Sequence, residues 1–145
     1  MIPTMSLTGE MVIERRWIKP KDITRGDLVT YISPLDPRRV VCKRVIGLPG
    51  DIVCVDPTGK TAPSTEHVVI PRGHVWLSGD NAEMSRDSRT YGPVSMALVR
   101  GKLVARVRLS ACIVAGRPSD NEQIFPLKDA RWFENNFKYI DGQDV

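Results

Sequence analysis

The sequence predicts a mainly β protein. Two observations support this fold class. Short stretches rich in Val, Ile and Thr recur along most of the chain, and several alternate apolar with polar side chains. Clusters of Gly, Pro and Asp separate these stretches, as turns do between neighbouring strands. With 145 residues the chain fits a single domain that can bury a hydrophobic core.

The first part of the chain predicts a series of strands, each closed by Pro, Gly or Asp. In the first of them alternation places Met11, Ile13 and Trp17 on one side. The strand before SPLDP and the strand before GLPGD are the richest in β-branched residues. The predicted strands cover residues 11–17, 27–33, 40–46 and 51–55.

The next part predicts strands on either side of a long polar loop. Residues 67–70 and 74–78 flank a Pro-Arg-Gly sequence, and this spacing predicts a tight hairpin or a bend. The polar loop GDNAEMSRDSRTYGP follows, and functional residues often lie on such loops. Residues 97–109 predict either a long pair of strands or one bent strand, with Leu103 and Ala105 on one face and a bulge at Gly101.

The C-terminal part differs in composition. The GRPSD sequence at residues 116–120 predicts a boundary. Residues 126–139 predict either one short amphipathic helix or a poorly ordered extension.

The composition argues against several classes of protein. The net charge is +4 and the basic residues are scattered, so no nucleic-acid partner is expected. The cysteines are odd in number and form no CxxC motif, which disfavours a disulfide scaffold and a structural zinc site. No apolar stretch is long enough for a membrane-spanning helix. The cysteines are Cys42, Cys54 and Cys112.

One lysine lies in an unusual setting. In VVCKRVI, alternation puts Val41, Lys43 and Val45 on one face of the predicted strand and Arg44 on the other. A lysine among valines loses hydration, and this disfavours the ammonium and lowers its pKa. A neutral amine can take a proton from a serine hydroxyl, as in serine–lysine nucleophilic catalysis.

Three sequence blocks accompany this lysine. In order they are RGDLV (residues 25–29), KRVIGLPGD (residues 43–51) and GDNAEMSRDSR (residues 79–89). With these blocks the chain resembles the type I signal peptidase family over roughly residues 1–110. The resemblance implies a β-ribbon and a partly open barrel, the fold shared with LexA-like self-cleaving proteins. It also implies a serine–lysine endopeptidase that needs no metal or organic cofactor.

The resemblance assigns roles to individual residues. Lys43 matches the general base, and Ser85 matches a serine that hydrogen-bonds near the lysine amine. Asp87 and Arg89 match a structural ion pair of the family. The turn beside the family's active site is matched by Gly79, Asp80 and Asn81.

The nucleophile is where the chain departs from the family pattern, which has Ser-Met-x-Pro-Thr. Met1, Ile2, Pro3 and Thr4 match the part after that serine, and the first three are expected to line the substrate site. We therefore expect residues 1–115 to be a catalytic domain truncated just after the nucleophilic serine, without its membrane anchor. In this form it should be inactive. Residues 116–145 are expected to be a C-terminal extension.

Within the family, the chain resembles the mitochondrial inner-membrane protease branch, and in that branch the first of two subunits. The grounds are a lysine rather than a histidine at the base position, the short connection between Asp51 and Gly79, and Cys42 before Lys43. This branch implies cleavage of leader or sorting peptides from precursor proteins on the intermembrane-space side. It also implies a heterodimer with a related subunit.

Three alternatives remain open from the sequence. The chain could be a catalytically inactive partner subunit of such a protease, or a compact bacterial signal peptidase. A self-cleaving repressor uses the same dyad, but it would need a DNA-binding or cleavable arm before residue 1 and lacks the Gly-Asp-Asn block present here.

Overall fold

The computed structural model describes residues 1, 4–5, 10–60, 62–108 and 130–132, with residues 107–108 and 130–132 described by backbone alone. Within these residues the protein is mainly β, which confirms the predicted class. The strands are β1 (Glu10–Arg15), β2 (Leu28–Ser33), β3 (Asp36–Gly47), β4 (Ile52–Cys54), β5 (His67–Val69), β6 (His74–Ser78), β7 (Val94–Ser95), β8 (Val99–Arg108) and β9 (Ala130–Trp132). A short α-helix, α1 (Ser88–Tyr91), and three single turns of 3-10 helix connect them.

The main sheet is antiparallel, with strand order β1-β8-β2-β3-β6-β7 and with β9 also paired to β8. Strands β4 and β5 form a separate ribbon. The long strand β3 links the two halves of the main sheet. It pairs with β2 as far as Arg44, and from Arg44 onward its other edge pairs with β6. The lysine and its neighbours therefore lie where β6 joins β3.

The core consists of two apolar clusters. Strands β2 and β6 contribute alternate residues to the first cluster, which is the burial pattern that a half-buried antiparallel strand produces. Each such side chain contributes about 1.5–3 kcal/mol when it is removed from water. The first cluster comprises Ile23, Val29, Tyr31, Val45, Val75, Leu77 and Val94. The second joins the β4–β5 ribbon to the main sheet through Val55, Ile70 and Trp76.

Most predicted strands are present. Between residues 67–70 and 74–78 the sequence predicted a hairpin or a bend, and only the bend is found. Residues 27–33 and 40–46 coincide with β2 and the second part of β3. A hairpin between residues 67–70 and 74–78 is wrong, because β5 pairs with β4 whereas β6 pairs with β3 and β7. The bend at Pro71–Gly73 carries the chain from one sheet to the other, with Gly73 at φ 74°.

Strand β8 has the predicted features. Leu103 and Ala105 are buried on one face. The register between β2 and β8 shifts beside Gly101, which confirms the bulge. A Cβ at Gly101 would lie 2.6 Å from the Glu14 side chain, which would have to move to make room for it.

The C-terminal prediction needs a correction. Residues Ala130–Trp132 form strand β9, which pairs with β8, so a continuous helix over residues 126–139 is wrong. The rest of that segment and Cys112 lie outside the described residues. Among the residues described, no helix is long and apolar enough to cross a membrane.

Candidate active site

Lys43 lies on β3 between Val41 and Val45, as alternation predicted. Val45 is fully buried. Val41 is half-buried and packs against the first cluster. The Lys43 Nζ atom donates a hydrogen bond to Ser85 Oγ at 2.5 Å. Two residues 42 positions apart in the chain thus meet at one end of the sheet.

The environment of Lys43 favours its neutral form. Burial disfavours the ammonium and lowers the pKa of Lys43 below its ordinary value of 10.5. The nearby Asp87 carboxylate acts in the opposite direction, but burial is the larger effect. The direction agrees with the shift inferred from the valines, although the lysine is only half-buried.

Gly79 makes room for this contact. It follows β6 directly and is buried. A Cβ at this position would lie 2.6 Å from Ser85 Cβ and 3.0 Å from Lys43 Nζ. Real Cβ atoms do not approach other atoms as closely as 2.6 Å, so any side chain here would displace Ser85 or the lysine. The sequence marked Gly79 as part of a turn and gave no sign of this steric role.

Asp87 connects the loop to the end of β6. It is fully buried, accepts a hydrogen bond from the Gly79 backbone N–H at 2.9 Å, and pairs with Arg89 Nη2 at 2.8 Å. Burial by itself raises the pKa of Asp87, but hydrogen bonds from Arg89, Gly79 and Ser85 outweigh it, and the pKa lies below its ordinary value. The predicted ion pair is therefore present, and Asp87 joins the loop that carries Ser85 to the end of β6.

Arg89 and Asn81 shape the loop around this contact. The Arg89 guanidinium donates to the Ala82 carbonyl at 2.9 Å. The Asn81 carbonyl accepts from Met84 N–H at 3.3 Å, which closes the 3-10 turn Ala82–Met84 just before Ser85. Both bonds restrict the conformations that the loop backbone can adopt.

Asp80 forms an ion pair that the sequence did not reveal. Arg44 Nε and Nη2 each donate to one Asp80 carboxylate oxygen at 2.8 Å, the planar two-point geometry that arginine favours. Burial raises the pKa of Asp80, but the bonds from Arg44 and Thr4 outweigh it, and the pKa lies below its ordinary value. Arg44 also donates to the Gly26 carbonyl at 2.8 Å. Alternation placed Arg44 on the face opposite Lys43 and said nothing of its partners.

The same ion pair holds the start of the chain. The Thr4 hydroxyl donates to Asp80 and accepts from Arg44 Nη2 at 3.3 Å. The Thr4 carbonyl accepts from Arg106 Nη1 at 2.5 Å. Within the same segment, Met5 N–H donates to the Met1 carbonyl at 2.9 Å, and Met1 is half-buried. Of the predicted substrate-lining residues, Ile2 and Pro3 lie outside the described part of the chain.

The three sequence blocks bond to one another. Arg25 of the first block pairs with Asp51 of the second, and Arg25 Nε lies 2.7 Å from Asp51 Oδ2. Arg44 of the second block pairs with Asp80 of the third. The residues that carry the resemblance are therefore bonded to one another across all three blocks.

Neither a metal cluster nor a disulfide is found in the described residues. No group of three or more His, Cys, Asp and Glu side chains within them could hold a metal ion. Cys42 and Cys54 are free thiols, and burial raises the pKa of Cys42 to about 11.

The known proteins that this chain resembles are peptidases. The family model described as "Signal peptidase, peptidase S26" matches residues 1–61 and 56–108. Mitochondrial inner membrane protease subunit 1 of Schizosaccharomyces pombe is 45% identical over 111 residues, covering 74% of this chain and 67% of the relative. The subunit 1 of Saccharomyces cerevisiae is 34% identical and covers 94% of this chain and 75% of the relative. The human subunit 1 is 47% identical and covers 59% and 50%.

A solved signal peptidase I from Enterococcus faecalis V583 is 26% identical, with a TM-score of 0.45, covering 56% of this chain and 96% of that chain. The chain spans half to three quarters of the length of the three curated relatives named above. The residues that the family model matches include Lys43 and all three bonded blocks. The chain belongs to the signal peptidase family, peptidase S26.

Proposed function

We propose that this chain is the lysine-bearing part of a serine endopeptidase that removes leader or sorting peptides from proteins at the mitochondrial inner membrane. The contact between Lys43 and Ser85 carries the proposal. A half-buried amine with a lowered pKa, oriented by the Ser85 hydroxyl, is the arrangement a general base requires.

In the proposed mechanism the nucleophile is a serine that precedes Met1 in the full-length protein. Neutral Lys43 takes the hydroxyl proton as the serine oxygen attacks the peptide carbonyl. The ammonium then gives that proton to the leaving amine, and an acyl-enzyme remains. Lys43 next takes a proton from water, the resulting hydroxide attacks the ester, and the proton returns to the serine.

The proposed substrate path follows the edge of β3. Up to Lys43 this strand pairs with β2 on one side, and β6 occupies its other edge only from Arg44 onward. The backbone of residues 38–42 therefore offers an edge, among the described strands, to an extended peptide that ends at Lys43. Strand addition supplies main-chain hydrogen bonds to any leader sequence and leaves selectivity to side-chain pockets.

The proposed location and partner rest on the named relatives. Those relatives are subunits of a mitochondrial inner membrane protease, and subunit 2 of Saccharomyces cerevisiae also matches, at 43% identity over 61% of this chain. We accordingly propose a heterodimer with a related subunit that acts on the intermembrane-space side. Residues 1–115 are the proposed catalytic domain, and residues 116–145 are an extension that adds β9 to the sheet.

Cleavage by the full-length protein tests the proposal. The residue before Met1 is first identified in the full-length transcript. Processing of a leader-bearing precursor is then compared for the unmodified protein, Lys43→Ala, Lys43→Arg and the exposed-lysine control Lys21→Ala. We expect the control to cleave normally and both Lys43 variants to fail, because alanine has no base and guanidinium stays charged.

Retained cleavage in Lys43→Ala would refute the role of the lysine. A full-length protein that binds the related subunit but cleaves nothing would instead identify an inactive partner subunit.

A further inference from the structure

We propose that Arg106 of β8 is a positioning residue that holds the N-terminal segment, described at Met1, Thr4 and Met5, through the Thr4 carbonyl and so sets where the proposed nucleophile stands relative to Lys43. The functional half of this inference rests on the proposed function. Arg106 lies outside the three blocks that carry the family resemblance, and no sequence motif connects it with the site.

The geometry at Thr4 supports the inference. Its hydroxyl bonds to Asp80 and Arg44, while its carbonyl accepts from Arg106 at 2.5 Å. The two polar groups of one residue are therefore held by different parts of the sheet. The bonds to the hydroxyl alone would locate the Thr4 side chain but would not hold the peptide between Thr4 and Met5 against β8. The Thr4 carbonyl belongs to that peptide, and the N–H of the same peptide donates to the Met1 carbonyl at 2.9 Å, so the bond from Arg106 also orients the contact with Met1.

The backbone of Arg106 is held in the sheet on both sides. In the sheet its backbone is opposite Val12 of β1 on one side and Arg131 of β9 on the other. Its side chain is about one third exposed, and the guanidinium lies 4.0 Å from the mostly buried carboxylate of Glu10. Strands on both sides and an anion beside the guanidinium limit the directions in which the arginine can point.

The size of the expected effect follows from the bond. Loss of this charge-assisted hydrogen bond would leave the Thr4 carbonyl without its partner on β8. Displacing a reacting group by about 1 Å can cost about 100-fold in rate.

Methionine methyl signals report directly on the segment. The chain has five methionines, of which Met1 and Met5 lie in the segment and Met96 packs against the first core cluster. In the 145-residue chain labelled at the methionine methyl carbons, Arg106→Ala should move the Met1 and Met5 signals toward those of an unfolded peptide. Met96 should not move. Arg100→Ala, an exposed arginine on the same strand, should leave all of these signals in place.

If Arg106→Ala also moves Met96, the milder Arg106→Gln replaces it, since glutamine keeps part of the stem without the charged fork. In a folded variant, Met1 and Met5 signals that match those of the unmodified chain would overturn the inference.

A kinetic comparison then separates positioning from general stability. In the full-length protein, Arg106→Gln should lower kcat at least about tenfold with little change in KM, and the pH midpoint of the lysine limb should stay the same. A rise in KM with unchanged kcat would contradict positioning. If no form of the full-length protein cleaves, the proposed function fails, whereas the methyl signals still decide whether Arg106 holds the segment.

Discussion

At the scale of single residues, the site depends on Gly79, which has no side chain, as much as on the side chains of Lys43 and Ser85. Lys43 could be found from sequence because β alternation is a local property. The steric role of Gly79 could not, because it depends on residues from two other parts of the chain that meet only in the fold. The bond between Arg44 and Asp80 escaped prediction for the same reason, since both are common surface residues and only the tertiary structure brings them together.

Gly79→Ala tests the steric argument. The added methyl group would lie 2.6 Å from Ser85 Cβ, so we expect Ser85 to move and its bond to Lys43 to break. Overpacking of this kind costs about 1–3 kcal/mol. Urea unfolding measures the stability, and the NMR signal of the Lys43 side chain measures the local change.

Gly47→Ala is the matched control. It crowds Ile70 in the second cluster and does not touch the lysine. We expect it to lose stability while the Lys43 signal stays in place. A Gly79→Ala protein with an unchanged Lys43 signal would show that the glycine is not needed to accommodate the lysine and serine.

At the scale of elements, Asp87 organises the loop between β6 and β7. Its carboxylate bonds to the end of β6 at Gly79 and to Arg89, and its side chain also caps α1. Buried carboxylates with several donors are strongly held, and removing one partner of such a pair leaves the other uncompensated. The resemblance predicted the ion pair but not the bond to the Gly79 backbone.

Asp87→Asn tests this organising role. We expect a loss of about 3–5 kcal/mol in the free energy of unfolding at pH 7, because Arg89 is left without its anion. The lowered pKa of Asp87 means that its contribution is complete above the ordinary Asp pKa of 3.8 and is lost as pH falls through the lower folded value. The unmodified and substituted proteins should therefore differ most at neutral pH and converge only in acid.

Asp36→Asn is the control for that experiment. Asp36 and Arg38 have the same sequence spacing as Asp87 and Arg89, but Arg38 is almost fully exposed and the ions are 3.8 Å apart. An exposed pair of this kind contributes at most about 1 kcal/mol. Equal losses of stability in the two variants, measured by urea unfolding at several pH values, would count against a special role for Asp87.

At the scale of the whole molecule, non-local pairing decided what could be predicted. The strands themselves could be predicted because the alternation of apolar and polar side chains is visible in neighbouring residues. Which strands pair was not, and the expected hairpin at Pro71–Gly73 turned out to be a passage between two sheets. Strand β9 was missed because the pattern of residues 126–139 also suits a helix, and only pairing with β8 selects a strand.

The molecule as a whole places one half-buried lysine at the junction of β3 and β6. Val45, on the same face of β3, belongs to the first core cluster, and Ser85, which contacts the amine, lies on the loop that Asp87 joins to β6. Neither the cluster nor the loop alone would produce an oriented amine with a lowered pKa. The site is therefore a property of the folded sheet, and it should disappear when the sheet unfolds.

The most direct test is the pKa of the Lys43 amine, measured by NMR titration of side-chain-labelled lysine in the 145-residue chain. Lys43→Arg identifies the signal by its disappearance. We predict a midpoint below the ordinary 10.5 in the folded protein and a return to the ordinary value in concentrated urea. The same midpoint in both conditions would contradict the account, because the amine would then be as well hydrated in the fold as in the unfolded chain.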